Sequence, residues 1–291
     1  MIRFFSKHFL SNSIIFSRPS FTGINKTTMH WHSTIGVEQS VSNHNNRLRL
    51  MEDDYCSDHS TPFSIDIDQL MNELALETIK EFSNAHMMNS KTATLLLRQW
   101  IHLFQPKRTL EIGTFTGYST LAMAAALDEQ QNTINDTLLV SLEKDNTCLQ
   151  MASRYLERAG LLSKVKFMQG DAFDSLVTLA NEKIPFDLIF IDADKGGYIK
   201  YYDFILENNM LADNGVILAD NVLYFGQVHR TAGYPEDQPI PASKNINKMA
   251  RKVHAFNEHV RNDDRVQSVT LPIFDGLTII KKKKKKNLLT N

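Results

Sequence analysis

The sequence predicts an α/β protein: a doubly wound sheet of seven strands, mostly parallel, closed by an antiparallel C-terminal hairpin. Three observations lead there. Five strand-like runs alternate with helical stretches from residue 108 onward, the pattern of consecutive β-α units. One of them, Phe186 to Ile191, is almost continuously apolar, as expected of a central strand covered on both faces. Two last strands, Ser268 to Ile273 and Gly276 to Ile280, are separated only by Phe274-Asp275, a spacing that suits a two-residue hairpin turn.

In chain order, residues 1 to about 30 mix Phe, Ser, Ile and basic side chains and contain no acid, the composition of an organelle-targeting presequence. A cytoplasmic or a mitochondrial protein is expected. Thr28 to Thr61 is polar and reads as linker, its four histidines lacking any zinc-type spacing. Residues 1–60 are therefore assigned to an extension, 61–281 to one domain and 282–291 to a lysine-rich tail. Ile67 to Phe82 has helical apolar spacing, and Ser90 can cap a second helix, Lys91 to Phe104, that Pro106 stops. Arg108 to Ile112 is the first strand and Thr116 to Leu127 the helix after it. Asp128 to Asp136 reads as an inserted loop. The second strand, Thr137 to Leu142, ends on Glu143, and helix Asn146 to Ala159 ends at Gly160. Strand three, Val165 to Met168, runs into Gly170-Asp171-Ala172 and a helix through Leu179. After strand four come Asp192-Ala193-Asp194-Lys195 and helix Tyr198 to Asn208. Strand five, Gly215 to Ala219, ends on Asp220-Asn221. Gly233 to Pro241 reads as a loop, Ile246 to Val260 as a helix, and Lys281 to Lys286 as a solvated tail.

With 42% hydrophobic residues in 291, the chain can bury a large core, and no apolar run is long enough to span a bilayer. Cys56 and Cys148 match no paired spacing, which points to a reducing compartment. The net charge of −1 conceals an uneven distribution. Setting aside Arg3, Lys7, Arg18, Lys26 and the six lysines 281 to 286 leaves the body at about −11. A body that acidic is a poor partner for a phosphate backbone, so nucleic acid is disfavoured as a ligand.

The chemistry gathers where strands end, since ligands of such sheets bind beyond the carboxyl ends of the strands. Glu111 precedes a turn, Gly113-Thr114-Phe115-Thr116-Gly117, that leads through Tyr118 and Ser119 into a helix. Glycines there let backbone approach a ligand, and helix-start amides favour an anionic group. Phe115 and Tyr118 stand where a dinucleotide fingerprint needs glycine, so a pyrophosphate is disfavoured, and Glu111 suits a ligand carrying an ammonium group. Glu143 is placed for the two hydroxyls of a ribose. Asp192, Asp220 and Asn221 offer hard oxygen ligands for Mg²⁺ or Ca²⁺, and Lys195 reaches the same spot.

The segments Leu110 to Ser119, Phe186 to Lys195, Leu218 to Leu223 and Leu271 to Thr278 resemble the cation-dependent class I O-methyltransferases, the caffeoyl-CoA and catechol O-methyltransferase-like family, over roughly residues 66 to 281. The resemblance implies a Rossmann-like fold, S-adenosyl-L-methionine as cofactor and a homodimer. It assigns Glu111, Gly113, Thr114, Gly117, Ser119, Glu143, Asp171 and Ala172 to the cofactor, and Asp192, Asp220 and Asn221 to a divalent cation, Mg²⁺ first and Ca²⁺ or Mn²⁺ next. Lys195 is the catalytic residue it implies, and a small phenolic molecule with vicinal oxygens the substrate. The alternatives are a tRNA hydroxyuridine O-methyltransferase and a non-catalytic cofactor-binding protein.

Overall fold

The computed structural model describes residues 53–130, 138–234 and 242–283. The expected presequence, most of the inserted loop and of the loop Gly233 to Pro241, and the tail beyond 283 lie outside them. The elements are α1 (Ile65–Glu81), α2 (Lys91–Phe104), β1 (Arg108–Ile112), α3 (Tyr118–Glu129), β2 (Leu138–Glu143), α4 (Asn146–Arg158), β3 (Val165–Gln169), α5 (Ala172–Ala180), β4 (Phe186–Ile191), α6 (Tyr198–Glu207), β5 (Leu211–Asp220), α7 (Val228–Thr231), α8 (Lys244–Arg261), β6 (Val266–Leu271) and β7 (Leu277–Lys282).

All seven strands form one sheet in the order β3-β2-β1-β4-β5-β7-β6, parallel through β5, with β7 antiparallel to β5 and β6. The chain starts in the middle and winds outward twice, so the order reverses between β1 and β4, the switch point at which such sheets leave a crevice. Helices α1 to α4 contact one another on one side, and α5, α6 and α8 contact one another on the other. Helix α3 is buried along Tyr118 to Leu127 because it is wedged among α1, α2 and α4, which accounts for its lack of a polar face. On the opposite side Phe256 of α8 meets Tyr198 and Tyr202 of α6 edge-on, at ring-centroid distances of 5.3 and 6.1 Å. Edge-to-face pairs of this kind add about 0.5–1.5 kcal/mol each beyond their burial, and here they fix the helix that begins next to the end of β4.

Five expectations are corrected. Strand β5 begins at Leu211, not Gly215, because Leu211 pairs with Phe186 across a register shift that absorbs the polar Ala212-Asp213-Asn214. The hairpin connection is not Phe274-Asp275 but residues 272–276. Phe274 and Gly276 both adopt positive φ there, and Leu223 N–H and Val222 N–H donate to the carbonyls of Asp275 and Gly276, holding the connection open against the end of β5. Asp128 and Glu129 belong to α3 rather than to a loop, tied by Lys164 (3.0 Å) and Arg98 (2.7 Å). Lys281 and Lys282 lie in β7, opposite Val216 and Val266, and Lys282 Nζ donates to the Leu211 carbonyl. Within the expected linker, residues 53–58 are helical, and Thr92 Oγ1 donates to the Asp53 carbonyl at 3.1 Å.

Candidate active site

The ends of β1 and β4 meet at the switch point. Asp192 N–H donates to the Ile112 carbonyl at 2.9 Å. Gly113 follows with φ +105°, and a Cβ there would lie 2.1 Å from the Asp192 carbonyl oxygen. A Cβ on Gly117 (φ +91°) would lie 2.6 Å from that of Ala152 in α4. Both glycines are thus required by the protein's own packing, a reason the sequence did not disclose.

Glu111 is not at an open strand end. It is fully buried, and its oxygens accept hydrogen bonds from Ser119 Oγ (2.6 Å), Thr120 Oγ1 (2.5 Å) and Ser141 Oγ (2.6 Å). Thr114 Oγ1 joins the network 2.5 Å from Ser141 Oγ. Burial pushes the Glu111 carboxyl up to about 7 against the opposing pull of the three hydroxyls, with Asp192 adding to the rise. Glu143, at the end of β2, accepts from the backbone amides of Phe115 (2.8 Å), Lys144 (2.9 Å) and Asp145 (3.0 Å), which fixes the turn after β1 to the end of the neighbouring strand. Its carbonyl accepts from Gly170 N–H at 2.9 Å, placing β3's exit alongside. Asp171 caps α5 through Phe173 N–H (2.8 Å), and Ala172 opens that helix. Gly170 (φ +133°) faces open space, with no atom within 4 Å of where its Cβ would be. The expected cofactor residues therefore gather at the ends of β1, β2 and β3, with Glu111, Thr114 and Ser119 buried and Glu143, Asp171 and Ala172 more open.

Asp192, Lys195, Asp220 and Asn221 do come together. Asp192 Oδ2 and Asp220 Oδ2 accept from one atom, Asn89 Nδ2, at 3.1 and 3.0 Å. Asp220 Oδ1 accepts from Asn221 N–H at 2.7 Å, and Asn221 takes φ +56°, a left-handed conformation that asparagine tolerates. Lys195 Nζ donates to Tyr198 OH (2.5 Å), Asn221 Oδ1 (2.8 Å) and Asp192 Oδ1 (3.3 Å). Tyr198 in turn donates to the carbonyls of Asp220 (3.0 Å) and Ile191 (3.2 Å). Burial, and then the Asp192 charge, raise the Asp220 carboxyl, with Lys195 opposing. Asp275, in the connection before β7, is pushed up to about 6 mainly by burial while accepting from Phe225 N–H at 2.6 Å. Asn89 and Tyr198 were not among the residues expected in this cluster. Tyr198, the first residue of α6, stands three residues after Lys195, and that closeness in sequence was its available signal.

The donor chemistry fits both expected groups. Two carboxylate oxygens that converge on one point, with an amide oxygen beside them, form a hard-oxygen set suited to a divalent cation. The open space at Gly170 and the acid at the end of β2 suit a nucleoside.

A sheet of this order, with a buried acid near the end of β1 and acids at the ends of β2 and β4, is that of the class I S-adenosylmethionine-dependent methyltransferases. The O-methyltransferase family model matches residues 61–283, and the chain belongs to that family and is an S-adenosylmethionine-dependent O-methyltransferase. Tricin synthase 1 of Oryza sativa subsp. japonica is 32% identical over 220 residues, 74% of this chain and 81% of that protein. Caffeoyl-CoA O-methyltransferase of Populus kitakamiensis is 31% identical over 216 residues, 73% of this chain and 86% of that one. The SAH-bound methyltransferase of Podospora anserina superposes with a TM-score of 0.72 at 27% identity, covering 84% of this chain and 99% of that one. Among the described residues no helix is long and apolar enough to cross a membrane.

Proposed function

We propose that this O-methyltransferase transfers the methyl group to one hydroxyl of a small catechol-like substrate, such as a phenylpropanoid or catechol, with the aid of a divalent cation. The observation that carries this reading is the convergence of Asp192 Oδ2 and Asp220 Oδ2, within 3.1 Å of a single atom, beside the Lys195 ammonium. Two carboxylates this close repel each other unless a positive or donor-rich group lies between them.

Asp192, Asp220 and Asn221 would hold the ion, with Mg²⁺ the first choice and Ca²⁺ or Mn²⁺ next. When bound, such an ion supplies a Lewis acid that lowers the pKa of an oxygen on it. S-adenosylmethionine supplies an already activated sulfonium methyl. The turn Gly113 to Gly117, Ser119, Glu143, Asp171 and Ala172 would orient that cofactor, and Glu111 would fix Ser119 from beneath. Lys195, as the neutral amine, would accept the substrate proton at Nζ and become the ammonium, the nitrogen being held by its contact with the Tyr198 hydroxyl. Alignment of this kind is worth up to roughly 7–11 kcal/mol of a barrier. Leu97, Trp100, Phe190, Phe274 and Leu277 form an apolar wall beside Asp220.

The test is methyl transfer from labelled S-adenosylmethionine to catechols, caffeoyl thioesters and total tRNA, with Mg²⁺ and with EDTA. Labelling of a small phenol that EDTA abolishes is expected. Labelling of tRNA alone, or equal labelling in EDTA, would sink the reading. A homodimer and a cytoplasmic or mitochondrial location belong to the same proposal; sedimentation, and fractionation with N-terminal sequencing of the cellular protein, check them.

A further inference from the structure

We infer that Thr78 of α1 is a positioning residue for the methyl donor: its hydroxyl holds Thr116, and with it the turn Gly113 to Gly117, in the shape that receives the cofactor. The inference rests on the placement of the cofactor against that turn, proposed above, and concerns a residue 38 positions before Thr116 in the chain.

The turn between β1 and α3 is gripped residue by residue from different parts of the molecule. Gly113 is confined by the Asp192 carbonyl and Gly117 by Ala152 of α4. Thr114 is tied to Ser141 of β2. Phe115, at φ +50°, donates through its amide to Glu143 and packs edge-on against Phe82, with 5.6 Å between ring centroids. A left-handed aromatic residue is uncommon and persists where its surroundings impose it. Thr116 is fully buried, and among the described residues its hydroxyl finds its partner in Thr78 Oγ1, at 2.8 Å.

Thr78 is fully buried as well. Its Oγ1 also lies 2.8 Å from the Leu74 carbonyl, one turn back in α1, and 3.7 Å from Met151 Sδ of α4. A hydroxyl has a single proton to give. The Leu74 carbonyl can only accept, so the Thr78 proton goes there and Thr116 donates its own to Thr78. Valine at 78 would fill nearly the same volume but offer Thr116 no lone pair. A buried donor left without an acceptor is costly, and the side of the pair free to shift is the turn. Helix α1 is anchored: Glu77 and Glu73 pair with Arg154 and Arg158 of α4, and Tyr155 OH donates to Glu77 at 2.8 Å. Helices α1 and α4 thus close on the turn together, Thr78 at Thr116 and Ala152 at the residue after it.

The experiment measures S-adenosylhomocysteine binding to the full chain by calorimetry, with thermal melts beside it. Thr78→Val is expected to weaken binding on the order of tenfold at unchanged stoichiometry, while Thr78→Ser, which keeps the acceptor, binds as wild type does. Adding Thr116→Val to Thr78→Val removes the unmet donor and is expected to recover most of the lost affinity, which a mere weakening of α1 would not allow. Thr78→Cys, a far weaker acceptor, replaces Thr78→Val if the latter does not fold. Glu143→Ala serves as the reference. If Glu143→Ala weakens binding and Thr78→Val binds as wild type, or the double variant binds no better than Thr78→Val, the inference is overturned. If Glu143→Ala changes nothing, the placement of the cofactor at these strand ends falls and this inference with it.

Discussion

Glu111 and Asp220 are both buried carboxylates at the carboxyl ends of strands that flank β4, yet their surroundings are opposite in kind. Glu111 is enclosed by neutral hydroxyls from α3 and β2, all supplied by the protein, and its hydrogen-bonding capacity is met in the folded chain. Asp220 faces a second carboxylate, a lysine and an amide from a remote helix pair, and its charge is balanced only by groups that also serve other partners. The comparison separates a carboxylate whose partners are all neutral groups of the fold from one set against a second carboxylate and a lysine. It also shows why strand-end acids cannot be assigned from their placement alone.

The largest effect expected from breaking this contrast is at Asp220. Asp220→Ala should abolish labelled methyl transfer while leaving the melting temperature unchanged or raised, because it relieves the repulsion with Asp192; a collapse of the melt together with activity would make Asp220 a structural acid like Glu111. Next comes Lys195→Met, expected to lower kcat by about 10²–10⁴ with little change in the dissociation constant of S-adenosylhomocysteine measured by calorimetry.

At Glu111 the expected effect is on stability and its pH dependence. Its carboxyl moves from the ordinary 4.5 up to about 7 on folding, so the folded chain holds that proton more tightly than the unfolded one. The stabilisation is complete below the unfolded value and is lost as the pH rises through about 7. Between pH 4.5 and 8.5, urea melts of the wild type should lose roughly 3 kcal/mol more than those of Glu111→Gln; parallel curves would show that the group stays ionised throughout. The smallest effect is that of Ser141→Ala, which removes one of the three donors and should cost about 1 kcal/mol, more at pH 8 than at pH 5, since the lost hydroxyl supports the ionised form.

The sequence carried most of the sheet because the signals there are local. Phe186 to Ile191 is read as a strand from its own apolar run, and Ser90 is read as a cap from the helix it precedes. The first residues of β5 were illegible for the converse reason: Ala212-Asp213-Asn214-Gly215 has the composition of a turn, and only pairing with Phe186 makes Leu211 a strand residue. The lysine run misled in the same way, since Lys281 and Lys282 are strand residues by virtue of Val216 and Val266 across the ladder. Within the candidate site, Asp192, Lys195, Asp220 and Asn221 were legible because they sit at strand ends in a fold whose strand ends meet. Asn89 was not, since nothing in its neighbourhood along the chain indicates which carboxylates it reaches. The burial of Glu111 was equally hidden, being a property of Thr120 and Ser141 as much as of itself.

The contact between Gly113 and the Asp192 carbonyl bears on how this enzyme could be re-engineered. Any side chain at 113 would have to displace the end of β4, so the turn after β1 and the segment that carries Asp192 move as one part. Libraries aimed at this site should leave positions 113 and 192 untouched and vary side chains that do not join these two strand ends, such as Leu97 and Trp100 of α2.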